Sequence, residues 1–153
     1  MTIVLGAGTA AALAGAAFRS AIPGPRTRLL WLAAAFAAVW LALLLYGFRD
    51  PALAPSMSGK REHCAVETLI VGVPALLAGI WALRRWWPLR GAISGALVGL
   101  AAGVLPAISM QIACMYEPMH GITHHVLPGL ALSLPGAVLG AVLLRRPRPP
   151  PAG

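Results

Sequence analysis

Apolar residues in this chain come in long unbroken blocks, with neither the period-two alternation of a strand nor the polar face of a soluble helix. Five blocks, residues 2–18, 29–48, 64–83, 91–115 and 122–144, have the length and polarity of helices that cross about 30 Å of hydrocarbon, which takes about 20 residues. The pattern predicts an all-α fold, a polytopic transmembrane helix bundle of about five spans, because helices satisfy every backbone polar group internally. The first block is short and mostly Ala and Gly. A cleaved signal peptide carries positive charge before its apolar region, whereas Arg19, Arg26 and Arg28 follow this one. It reads as a retained span entering from outside. Residues 145–153 (RRPRPPPAG) cannot continue a helix and read as an extended, basic, proline-rich cytoplasmic tail.

Composition narrows the function classes. Of 153 residues, 59% are apolar and 10% charged, against roughly 25% charged in a soluble domain, and the mean hydropathy is +0.79. Such a chain cannot cover its own surface with polar groups, which excludes nearly all soluble enzyme folds. The net charge of +8 does not point to direct nucleic-acid binding, because the basic residues sit in short clusters between apolar blocks and so set topology. With five alternating helices, Arg19, Arg26, Arg28, Arg84, Arg85, Arg90, Arg145, Arg146 and Arg148 share one side. Arg49, Lys60 and Arg61 lie opposite, with the acids Asp50, Glu62, Glu67 and Glu117. The positive-inside rule then gives an outside N-terminus and a cytoplasmic C-terminus.

Small residues mark the packing faces. Gly91, Gly95, Gly99 and Gly103 recur every four residues, and Gly136 and Gly140 repeat the pattern on the last helix, so helix backbones can approach closely where lipid removes the hydrophobic drive to associate. Pro74, Pro106, Pro128 and Pro135 fall inside apolar blocks and should bend them, with the freed carbonyls satisfied inside the bundle. Trp81, Trp86 and Trp87 beside the inner arginines read as an interfacial belt.

Every cysteine and histidine maps to the outer side. Cys64, Cys114, His63, His120, His124 and His125, together with Glu62, Glu67 and Glu117, fall at the outer ends of helices three to five or in their connections, and Met57, Met110, Met115 and Met119 join them. Cys64 opens the third helix and Cys114 closes the fourth, its antiparallel neighbour. The rises from the shared turn are about 30 Å and about 36 Å, so the two depths differ by about one turn, which a bend at Pro106 can absorb. A disulfide needs Cα atoms about 4.4–6.8 Å apart, which this arrangement permits without requiring. Three readings stay open: a structural disulfide, a reversible thiol pair that senses oxidants or thiophilic metals, and a pair of buried thiols. Soft sulfur beside imidazole and thioether suits copper, zinc or cadmium, which makes Cys64, Cys114, His63, His120, His124 and His125 the candidate ligand set, with Met110 in support. The spacing matches no paired CxxC signature, and His120 and His124 share a face only if their connection is helical. Glu67, one turn inside the third helix on the face of Cys64, is either a functional acid at costly depth or a carboxylate snorkelling to the headgroups beside Lys60 or Arg61.

Nucleotide loops and the common hydrolase motifs are absent: there is no Walker loop, GxGxxG, GxSxG or HExxH. No acid or base lies at a helix centre to relay ions. The chain is expected not to be an enzyme. What it does contain is Cys64 followed by a helix holding Pro74, Arg84 and Arg85 with the turn WWPLRG, a glycine-rich helix running to Cys114, a short histidine-bearing connection, and a last span ending at Arg145 and Arg146. Residues 11–26, AALAGAAFRSAIPGPR, precede them as a helix running into a Pro-Gly turn. Together these resemble the NrsF-type (negative regulator of sigma F) membrane anti-sigma factors.

The resemblance implies a bacterial inner-membrane protein of six helices that holds an extracytoplasmic-function sigma factor through its cytoplasmic N-terminal part. It also implies that the cysteine pair, here Cys64 and Cys114, senses metal or oxidative stress. This chain begins where the family's second helix would, so the N-terminal segment and first helix are expected to be missing from it. The alternatives are a metal-binding or metal-handling membrane protein using the outer Cys/His/Met cluster, and a structural membrane subunit.

Overall fold

The computed structural model describes residues 2–20, 27–46, 63–86, 88–114 and 117–144. Arg26, Arg49, Asp50, Met57, Lys60, Arg61, Glu62, Trp87, Met115 and the tail at 145–153 lie outside them. The order is α1 (Thr2–Arg19), α2 (Thr27–Tyr46), α3 (Cys64–Arg84), α4 (Gly91–Ala113), α5 (Pro118–Gly121), a π-helical turn (Ile122–Val126), α6 (Leu127–Ala131) and α7 (Ser133–Leu143). The described residues form no strand, as the expectation of an all-α fold requires. Four helical stretches, Arg28–Tyr46, Cys64–Arg84, Gly91–Met110 and Met119–Leu143, are long and apolar enough to cross a membrane, while Ile3–Arg19 is apolar but shorter. At 1.5 Å per residue, α1 reaches about 27 Å, just under the hydrocarbon thickness.

α4 is the centre of the bundle and packs against α1, α3, α6 and α7, whereas α2 lies against α1 at the periphery. The α4–α7 contact follows from the glycine stripe. A Cβ on Gly91 would run into the backbone of Gly140, one on Gly95 into Gly136, one on Gly99 into Leu132 and one on Gly103 into Gly129. α4 thus runs antiparallel to α6 and α7 with main chains in contact, a separation that the glycine stripe on α4 permits and that Gly129, Gly136 and Gly140 meet from the other side.

Two buried layers fill the interior. Near the arginine-bearing ends, Ala17, Leu76, Ile80, Leu83, Val98, Ala102, Leu132 and Leu144 pack together. Farther along α4, Ala10, Trp40, Val104, Ala107, Ile108 and Val126 form the second. Side chains such as Trp31, Ile70, Leu134 and Val138 point outward and are largely exposed, an apolar exterior that suits lipid contact. α1 runs antiparallel to α4 along most of its length, with Gly6 beside Ile108 at one end and the Ser20 hydroxyl against that of Ser94 at the other. Arg85 at the end of α3 stacks its guanidinium 4.4 Å from the centre of the Trp81 ring, an arrangement typical of a headgroup boundary.

Pro74 and Pro106 sit inside α3 and α4. Pro128 has the larger consequence. Standing in the first turn of α6, it has no N–H to give the His124 carbonyl four residues back. The chain widens instead to an i→i+5 turn in which the Leu127 N–H donates to the Ile122 carbonyl. The π turn opens the expected last span, and the short connection expected before it is itself helical from Pro118.

Candidate functional site

Cys64 and Cys114 meet at the end of the bundle opposite the Arg84–Arg90 turn. Cys64 is the first residue of α3 and fully buried, and Cys114 caps α4, its N–H donating to the Met110 carbonyl at 2.9 Å. Their Sγ atoms are 3.4 Å apart, in contact as thiols without a covalent bond. The one-turn mismatch in depth inferred from helix rise therefore does not keep the sulfurs apart.

The histidines divide into two groups. His120 on α5 is buried, with Nε2 3.4 Å from Cys114 Sγ. His125 on the π turn is 2% exposed, and among the described residues neither of its ring nitrogens has a hydrogen-bond partner. One atom from each of Cys64, Cys114, His120 and His125 can be chosen so that all four lie within 4.8 Å of one another. His124 is exposed, stacks on His120 at 4.3 Å and places Nδ1 2.7 Å from the Thr123 hydroxyl. His63 is exposed ahead of α3 and uses its carbonyl to accept the Glu67 N–H at 2.9 Å. Of the six candidate ligands, the fold gathers four and leaves His63 and His124 outside. Met110 is buried but contributes to the site through its backbone carbonyl, and Glu67 is half-buried one turn along α3.

The π turn selects these histidines. In a regular α-helix, residues five apart are separated by about 140° around the axis, so His120 and His125 could not face one point. The i→i+5 register closes that angle, and the two rings meet edge to face at 5.2 Å. Thr68, also buried, ties the turn to α3: its hydroxyl donates to the Cys64 carbonyl at 2.9 Å, with the His124 carbonyl 3.5 Å away. The latter is the carbonyl that Pro128, four residues on, leaves without a helical donor. Thr68→Val, which keeps the shape and removes the hydroxyl, is expected to lower stability by about 1 kcal/mol, measured by thermal unfolding of the purified protein in detergent. An unchanged midpoint would show that this hydroxyl does not hold the turn.

A sequence model of the family described as "negative regulator of sigma F" matches residues 1–145. The anti-sigma-F factor NrsF of Caulobacter vibrioides is 35% identical over 88 residues, which cover 55% of this chain and 40% of that protein. The carotenogenesis protein CarR of Myxococcus xanthus is 29% identical over 117 residues, covering 75% of this chain and 50% of that protein. The chain spans about half the length of the curated relatives it matches. No solved structure matches it.

Proposed function

The chain belongs to the negative-regulator-of-sigma-F family, and from that premise we propose that it is a membrane stress sensor that restrains a sigma factor of the extracytoplasmic-function type. Its place is the bacterial inner membrane, and its role is regulatory, not catalytic. The Caulobacter relative carries the name anti-sigma-F factor, which makes a sigma factor on the cytoplasmic side the partner to test. Residues 1–144 form the membrane bundle in this reading, with five spans, the N-terminus outside and the tail at 145–153 in the cytoplasm. Two features support it. The exposed Arg19, Arg84, Arg85 and Arg90 flank the packed ends that hold Ala17, Leu83 and Leu144, as the positive-inside rule asks of a cytoplasmic face. In addition, α1 follows α4 from Ile108 down to Ser94, so a bilayer that contains α4 contains α1 as well.

The observation that carries the sensing role is the 3.4 Å approach of Cys64 Sγ to Cys114 Sγ. These sulfurs belong to α3 and α4, whose other ends meet at the Arg84–Arg90 turn on the arginine-rich side. Oxidation of the pair, or its capture by a thiophilic metal, would change how the two helices pack. A signal shifts such an equilibrium only through its differential affinity for two packings, and the sulfur pair is where the packings would differ. In cells carrying the cognate sigma factor and a sigma-dependent reporter, Cys64→Ser and Cys114→Ser are each expected to abolish induction by cadmium or a peroxide. Induction that survives both substitutions would overturn the sensing role.

A further inference from the structure

We infer that Cys64, Cys114, His120 and His125 form one four-ligand site for a divalent, closed-shell cation of the zinc class. The inference rests on the reading of this end of the bundle as the sensing site and names what that site takes up. The residues come from the start of α3, the end of α4, α5 and the π turn, and their ligand atoms converge within 4.8 Å. Cys64, His120 and His125 are buried and Cys114 half-buried. A buried imidazole whose ring nitrogens both lack partners among the described residues is a costly arrangement. A cation held by one of those nitrogens relieves it.

Charge and geometry choose the class of ion. Two thiolates and two neutral imidazoles bind a divalent cation with zero net charge, whereas monovalent copper would leave one negative charge in a buried site. Each thiol releases its proton to solvent and gives a sulfur lone pair to the metal, so about two protons leave per ion bound. Tetrahedral zinc with Zn–S of about 2.3 Å and Zn–N of about 2.0–2.1 Å sets the two sulfurs about 3.8 Å apart and the two nitrogens about 3.4 Å apart. The present Sγ–Sγ distance of 3.4 Å is already near this, and the widest ligand pairs would close by about 1 Å. Binding therefore draws α5 and the π turn onto the ends of α3 and α4, reinforcing a junction where Cys114 Sγ already lies 3.4 Å from His120 Nε2 and the Thr68 hydroxyl 3.5 Å from the His124 carbonyl.

The test is cobalt and zinc titration of the reduced, tag-free full chain in detergent. Expected are about one Co2+ per chain, tetrahedral d–d bands with thiolate-to-cobalt charge transfer, displacement by Zn2+, and release of about two protons per Zn2+. Cys64→Ser and Cys114→Ser should each weaken binding and cut the charge-transfer bands, and the double variant should abolish them. His120→Ala and His125→Ala should weaken binding by more than the about 10- to 100-fold that loss of an outer-shell partner costs, while His63→Ala leaves it unchanged. His125→Cys, which restores a ligand, should recover affinity and add charge-transfer intensity, separating a ligand role from a folding defect. Absence of Co2+ and Zn2+ binding, or binding indifferent to His120 and His125, would overturn the inference. Failure here with a reporter still silenced by the cysteine substitutions would leave the sensing function standing on thiol chemistry alone. Tight binding with a reporter indifferent to both cysteines would retain the metal site and remove the sensing function.

Discussion

Gly103→Leu is expected to destabilise the bundle by at least about 3 kcal/mol, the upper end of the usual range for overpacking. A Cβ at this position would overlap the backbone of Gly129, and one at Gly129 would meet the backbone of Gly103 in return. Overpacking is tolerated where a flexible side chain can swing aside. Here the obstacle is main chain on both helices, so α4 and α6 must separate along a contact that continues through Gly99, Gly95 and Gly91. In a bilayer that separation has little hydrophobic penalty to oppose it, because lipid is as apolar as the helix surfaces. Gly121→Leu is the control: nothing lies within 4 Å of a Cβ there, and a change within about 0.5 kcal/mol is expected. Unfolding of both variants in increasing SDS, followed by circular dichroism, measures the difference. Equal midpoints would mean that α4 and α6 do not touch through their backbones.

Trp40→Ala should have the next largest effect, about 3 kcal/mol, the low end of the range for truncating a buried aromatic. α2 is the least buried of the candidate spans, with 11% of its most apolar window buried, yet Trp40 is only 2% exposed and packs with Ala10, Val104, Ala107, Ile108 and Val126. It is the side chain by which a peripheral helix reaches the centre of the bundle. Removing it forfeits dispersion contacts that lipid tails cannot reproduce in so narrow a space. Trp40→Phe is expected to be much milder, since it keeps an aromatic ring and removes an indole N–H that has no partner among the described residues. Trp31→Ala, at a side chain 73% exposed, should change stability by less than about 0.5 kcal/mol. Limited proteolysis reports whether α2 has detached, and equal protection of the Trp31→Ala and Trp40→Ala proteins would remove Trp40 as the anchor.

Much of the fold was legible in the sequence, for reasons that differ among elements. The apolar blocks announced helices because transfer into hydrocarbon sums over residues and needs no partner. The glycines at 91, 95, 99 and 103 announced a contact face because a four-residue repeat stays on one side of a helix. Their partner was less obvious: Gly136 and Gly140 were visible as a face, but Gly129, which meets Gly103, lies outside their four-residue repeat. Cys64 and Cys114 were legible as neighbours because one short turn joins their helices. The histidines were not. Sequence placed His63 ahead of the third span, His120 in the last connection and His124 and His125 at the start of the last span, with nothing to rank them as ligands, whereas the structure buries His120 and His125 and exposes His63 and His124. Pro128 was the available signal, since a proline withholds the N–H that would close the α-helical turn before it.

The sequence by itself determined that this chain forms long apolar helices, that its arginines cluster between them, which small-residue faces can touch, and that its cysteines and histidines gather at one end. These depend on composition and on the fixed period of an α-helix. Only the tertiary structure decided which side chains converge there. That choice rests on a departure from the α period: an i→i+5 turn stands just before Pro128, Thr68 on α3 lies beside the His124 carbonyl that the proline leaves without a donor, and His125 faces inward to join His120 at the two sulfurs.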